Sequence, residues 1–183
     1  MKKNYNVGII GFGFIGKVHA YGYENLKFYY PDSPFTAKVF GVCTSKKETS
    51  EKAKELYGIK FITTDYKELI ENPEIDIIDI SSPNNYHYEQ LLYAIKKNKH
   101  IYCEKPVVSN IQQSEELEKE LKNFNKIHQV TFHNRFIPAT IKTKELIESG
   151  FIGQPTIFKI SYYHSGSVEK EKPITWRFEK GGG

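Results

Sequence analysis

With 183 residues, 39% hydrophobic and 26% charged, the chain is long enough to bury a core and too apolar for a disordered or low-complexity protein. Its 26 Lys and Arg exceed its 22 Asp and Glu by four, but they are scattered singly or in pairs such as Lys46 with Lys47, without the dense stripe a nucleic-acid binder needs. No apolar run approaches the ~20 residues of a membrane span, and Met1 to Ile10 carries no signal-peptide pattern, so a cytoplasmic protein with neither nucleic acid nor membrane among its partners is expected.

Val7 to Ile10 reads as a strand buried on both faces, and the turn Gly11 to Gly16 leads from it into a helix running to about Leu26. Gly11, Gly13 and Gly16 stand in GxGxxG spacing between that strand and that helix. Gly11 makes the tight turn, Gly13 lets the backbone approach a pyrophosphate, and Gly16 permits close packing of helix on strand. With Phe12, Phe14 and Ile15 they offer the phosphates the free N–H groups of a helix start. Dinucleotide binding is predicted.

Ala37 to Cys43 reads as the second strand, followed by a helix from Lys46 to Tyr57 that Gly58 closes. A carboxylate at the end of this strand would bond the adenosine ribose and repel a 2′-phosphate, yet Thr44, Ser45, Lys46 and Lys47 stand there. Two hydroxyls and two ammonium groups favour NADP over NAD, the alternative being that the lysines are the solvated first turn of a helix. Lysines there oppose the helix dipole, which a phosphate would offset.

Phe61 and Ile62 form a short strand, Asp65 caps a helix through Ile70, and Ile75 to Ile80 is a strand rich in isoleucine. A helix follows over Tyr86 to Lys97, a strand over Ile101 to Cys103, a charged helix from Ser109 or Asn110 to about Asn123, and a strand over Gln129 to Phe132. This alternation predicts an α/β fold, a doubly wound parallel sheet of the Rossmann type, over residues 1–135. Beyond Arg135 come a helix from Pro138 to Ser149, an alternating aromatic strand from Thr156 to Tyr163, and a polar tail with Pro173 and three final glycines. Residues 136–183 read as the truncated beginning of an α+β substrate and oligomerisation domain. Cys43 and Cys103 belong to no CxxC or Cys/His cluster, and the histidines show no HExxH or HxH spacing, so reduced buried cysteines and no metal are expected.

Three further motifs follow the glycine turn: Ser82, Pro83, Asn84, Asn85, Tyr86, His87; Glu104, Lys105, Pro106; and Phe132, His133, Asn134, Arg135, Phe136. In this order and spacing they resemble the glucose-fructose oxidoreductase, inositol dehydrogenase and MocA family of NAD(P)-dependent oxidoreductases, along the whole chain. The resemblance implies hydride transfer to or from a secondary alcohol of a sugar, cyclitol or related polyol by a homo-oligomeric parent enzyme. It places Lys105 beside the nicotinamide as the catalytic residue, Glu104 on the nicotinamide ribose, and Ser82, Pro83, Asn84 and His87 in the turn beneath that ribose. Pro106 would be a rigid turn that admits a cis bond. His133 and Asn134 depart from the Asn-Tyr pair common in the family, whereas Arg135 fits; His19 and His100 receive no role. Members similar to this sequence continue past a segment like Ile174 to Phe178 into a helix bearing an Asp and a His, so the 183 residues read as a cofactor-binding fragment without full activity. The resemblance also reaches a galactose-regulon co-repressor, which makes a non-catalytic dinucleotide sensor the alternative.

Overall fold

A computed structural model describes residues 2–163, 165, 168, 171, 173 and 174, and the expectations placed on Thr175 to Gly183 lie outside it. Strands β1 (Lys3–Ile10), β2 (Phe35–Cys43), β3 (Phe61–Thr63), β4 (Ile77–Ile80), β5 (His100–Cys103) and β6 (His128–Val130) pair in parallel in the order β3-β2-β1-β4-β5-β6. Helices α1 (Phe14–Tyr29), α2 (Lys47–Tyr57), α3 (Tyr66–Glu71), α4 (His87–Lys96) and α5 (Ile111–Leu121) supply the crossovers. The doubly wound sheet expected from the alternation is present.

Strand alternation sends successive side chains to opposite faces. Val7, Ile9 and Val42 join Ala53 of α2 in one core. Ile10, Ile78 and Ile80 join Leu69 and Ile70 of α3, Leu91 and Ala94 of α4 and Leu117 of α5 in the other. The β1–β2 register slips between Val7, opposite Val39, and Gly8, opposite Gly41, so that Phe40 is an extra residue in β2. Gly8 and Gly41 thus lie side by side and leave a hollow filled by Leu69 and Ile75; a Cβ on Gly8 would meet Ile75 Cδ1 at 2.9 Å, and one on Gly41 would meet Leu69 Cδ1 at 2.8 Å.

Several boundaries differ from the sequence reading. β1 and β2 begin at Lys3 and Phe35 because Lys3 to Asn6 pair with Phe35 to Lys38 by backbone ahead of the fully buried run. β4 begins at Ile77 and β6 ends at Val130, with Phe132 outside the sheet. Tyr86 belongs to a 3₁₀ turn, Asn84–Tyr86, ahead of α4.

The described residues divide into two compact units, the sheet unit through Thr131 and a second that begins at Phe132. The second holds a 3₁₀ turn, His133–Phe136, and α6 (Pro138–Glu148), with Pro138 in its first turn and Gly150 at φ +74° just beyond its end. The expected strand at Thr156 to Tyr163 is not formed: these residues are irregular, and Ile157, Phe158 and Ile160 are exposed. Alternation describes a strand able to cover one face. A strand also needs a neighbour for its N–H and C=O groups, and among the described residues this unit contains no other.

Candidate functional site

In an open parallel sheet the ligand crevice lies at the C-terminal strand ends where strand order reverses, here between β1 and β4. Gly11 stands at that reversal with φ +91°, its N–H donated to Cys43 O at 2.8 Å. A Cβ on Gly11 would lie 2.6 Å from Ser81 O and 2.7 Å from Ser82 N, so the turns after β1 and β4 touch backbone to backbone. Gly16 is equally constrained, since its Cβ would lie 2.1 Å from Gly11 O and 3.4 Å from Ile9 Cγ2. Gly13 is the opposite case. It is the N-cap of α1, exposed, with nothing within 4 Å of an added Cβ and no side-chain cap on the helix start. The N–H groups of Phe14, Ile15 and Gly16, at the start of a helix of 16 residues, have neither an acceptor within the helix nor a side-chain cap. Phe12 contributes backbone alone, its ring being buried edge-on against Tyr57, whereas Phe14 is exposed.

At the tip of β2, Thr44 is buried and its hydroxyl donates to Lys46 O at 2.8 Å while its N–H bonds Thr63 O. Its hydroxyl proton is thus committed to the turn. Ser45, Lys46 and Lys47 are exposed, Lys46 being the N-cap of α2 and Lys47 standing 3.7 Å from Glu51. Among Val42 to Lys47 there is no carboxylate.

The ends of β4 and β5 hold a buried polar cluster. Asp79, fully buried, accepts from Tyr23 Oη at 2.8 Å and Ser81 Oγ at 2.7 Å, and both its oxygens lie within 3.0 Å of His19 Nδ1. Burial works against a charged His19, but the hydrogen bond and charge of Asp79, joined by Glu104, outweigh it and hold the imidazole above its ordinary value. Burial, then the Asp79 charge, pushes the Tyr23 phenol well up. His19 Nε2 faces Glu104 Oε1 at 3.4 Å without forming an aligned hydrogen bond. Glu104 Oε2 accepts from the Lys105 N–H at 3.1 Å, and Oε1 is buried with no hydrogen-bond partner. The donor nearest this buried oxygen is His19 Nε2, an ion-pair partner when the ring is protonated.

Lys105 is exposed at the rim beside this oxygen's residue, and the Lys105–Pro106 bond is cis. His87 is fully buried, with Nδ1 2.9 Å from Pro106 O and Nε2 2.8 Å from Ser82 O. Both ring nitrogens thus face backbone carbonyls, of which a ring with a single N–H bonds one, and His87 fills the space between the turns after β4 and β5. Ser82 Oγ donates to Gln90 at 2.6 Å, while Pro83 and Asn84 remain partly exposed in the same turn. Cys43, pushed up to about 12 by burial and then by the Asp65 and Glu68 charges, and Cys103, raised further by burial, are free buried thiols. His133, Asn134 and Arg135 belong to the second unit, where the Arg135 guanidinium lies 5.2 Å from the Phe132 ring centre.

Within the sheet unit the fold thus gathers Gly11 to Gly16, Thr44 to Lys47, Ser82 to Asn84 and Glu104 with Lys105 along one sheet edge. Sequence reasoning missed His19, Tyr23 and Asp79. The available signal was an aspartate inside an isoleucine run together with His19 and Tyr23 four residues apart, one turn of helix. A dinucleotide fits one observation here: a helix start without a side-chain cap, whose open space a side chain at Gly13 would fill.

Comparison with known proteins agrees with this geometry. A family described as "Oxidoreductase family, NAD-binding Rossmann fold" matches residues 5–132. Levoglucosan dehydrogenase of Pseudarthrobacter phenanthrenivorans is 33% identical over 97% of this chain and 46% of its own length, and myo-inositol 2-dehydrogenase of Thermotoga maritima is 32% identical over 85% and 44%. Among solved structures, a levoglucosan dehydrogenase in complex with NADH and levoglucosan superposes with a TM-score of 0.93 at 32% identity, covering 98% of this chain and 48% of that one. The chain spans about half the length of the curated relatives it matches.

Proposed function

Since the chain belongs to this oxidoreductase family and carries its NAD-binding Rossmann fold, we propose that it is the cofactor-binding part of a dehydrogenase acting on a secondary alcohol of a sugar, cyclitol or related polyol. The observation that carries the reading is the open, uncapped helix start at Gly13, set by the Gly11 turn where the strand order reverses between β1 and β4. The names of the matched relatives, levoglucosan and inositol dehydrogenases, support the polyol class. Residues 1–135 would be the dinucleotide domain and 136–183 the start of a substrate domain.

Gly11, Gly13, Gly16 and the amides of Phe12, Phe14 and Ile15 would bind the pyrophosphate, Glu104 the nicotinamide ribose, and Ser82, Pro83 and Asn84 the adjoining wall, with His87 holding that wall in place. When bound, the nicotinamide supplies the hydride chemistry. The Lys105 ammonium would bond and polarise the substrate oxygen. The absence of a carboxylate around Thr44 and Ser45, with Lys46 and Lys47 exposed beside them, supports NADP as the preferred cofactor, while the NADH complexes of matched structures favour NAD. Because the chain spans about half of its relatives, the 183 residues alone should bind cofactor without measurable turnover.

Calorimetric titration tests these points. Gly13→Val should abolish dinucleotide binding while leaving far-UV circular dichroism unchanged; affinity retained within a few-fold refutes the cradle. NADP should bind more tightly than NAD, and Lys46→Glu with Lys47→Glu should erase or reverse that order. Equal or better NAD affinity in the parent chain would assign NAD instead.

A further inference from the structure

The buried cluster connects α1 to the rim of the site through one histidine. Asp79 brings both oxygens within 3.0 Å of His19 Nδ1, which fixes the proton on that nitrogen and the ring plane with it. Nε2 is left 3.4 Å from Glu104 Oε1, the buried oxygen without a hydrogen-bond partner. A neutral ring would turn a lone pair toward that carboxylate. A protonated ring turns an N–H toward it and needs only a small movement to close the bond. We propose that His19 is a positioning residue of the dinucleotide site, anchored by Asp79 through Nδ1 and holding the Glu104 carboxylate through Nε2 in the one orientation in which it receives a ribose hydroxyl.

The groups around the ring fit this role. Tyr23 on α1, Asp79 on β4 and Ser81 in the following turn form the anchor, and Tyr102 on β5 sets its ring 5.3 Å from that of His19. Burial raises the Tyr23 and Tyr102 phenols and the Cys103 thiol, which leaves the carboxylates of Asp79 and Glu104 as the charges facing the imidazole. Those two carboxylates favour the doubly protonated ring over the opposing effect of burial. His19 thus stands between two buried carboxylates, within 3.0 Å of one and 3.4 Å from the other.

This inference rests on the reading of Glu104 as a dinucleotide contact, and the two can be separated. NADH affinity is measured by fluorescence titration of the 183-residue chain, and the His19 ring is followed by NMR without nucleotide. A glutamine amide nitrogen can stand near the place of Nε2 and an asparagine amide nitrogen near that of Nδ1. His19→Ala should weaken NADH binding about ten-fold, as for the loss of one charge-assisted hydrogen bond. His19→Gln should recover most of that loss and His19→Asn should not. In a Glu104→Gln background, itself weakened, His19→Ala should have little further effect. In the NMR titration His19 should titrate above 6.5 and move down in Glu104→Gln. Equal recovery by Asn and Gln, full additivity with Glu104→Gln, or a His19 titration indifferent to Glu104 would each overturn the positioning role while leaving the dinucleotide reading intact. Unchanged NADH affinity in Glu104→Gln would instead remove the Glu104 contact and the inference together.

Discussion

The two ends of the site edge are built by opposite means. At β1 and β2 the site is backbone: a glycine turn in contact with its neighbour, an uncapped helix start, and side chains either buried away, like Phe12, or exposed, like Phe14 and Lys47. At β4 and β5 it is side chains, with Asp79, His19, Tyr23, Ser81 and Glu104 joined in one buried cluster. Backbone amides serve a ligand whose charge is spread over several phosphate oxygens, because N–H donors at a helix start need no exact partner. A single hydroxyl demands one acceptor in one direction, and only a packed side-chain network fixes a direction so closely.

The contrast can be broken most severely within the glycine turn. Gly16→Ala would force a Cβ to 2.1 Å from a backbone oxygen and should cost more than about 4 kcal/mol or prevent folding, whereas Gly13→Ala should cost about 1 kcal/mol or less, as a changed N-cap. Urea denaturation of the two variants measures the gap, and similar losses would mean that the turn is not built as described. Next comes Asp79→Ala, which strips the acceptor from Tyr23, Ser81 and His19 inside the core and should cost about 3 kcal/mol in the same assay. A loss below about 1 kcal/mol would place the cluster's energetics elsewhere.

The smallest effect is a pH dependence. The folded His19 holds its proton more tightly than the unfolded chain does, so its contribution to stability is fully present below the unfolded value near 6.5 and is lost as pH rises through the higher folded value. The urea midpoint of the parent chain should fall across that window more steeply than that of His19→Gln. Parallel profiles would show that the imidazole is not coupled to the two carboxylates.

The same division explains what could be read in advance. The glycine turn, Asp65 as a cap and Gly58 as a helix stop are local in sequence, and each stands where the spacing puts it. Glu104 and Lys105 came from a motif. Asp79 carries no mark in the run Ile75 to Ile80 that sets it apart from Asp76, since its partners on α1 lie 56 and 60 residues away and only the crossover brings them together. Thr156 to Tyr163 failed for the complementary reason: its alternation is local, but a strand exists only with a partner to bond.

The extra residue at Phe40 is a place where β2 takes up a change of length without passing it on. Val39 stands opposite Val7 and Gly41 opposite Gly8, so everything beyond the bulge keeps its own register against β1, and Cys43 O accepts the Gly11 N–H at 2.8 Å. Taking out Phe40 would cost the burial of its ring and leave the tip from Thr44 to Lys47 where it is. A residue lost between Gly41 and Cys43 would instead draw that tip back by about 3.3 Å and turn its side chains to the other face.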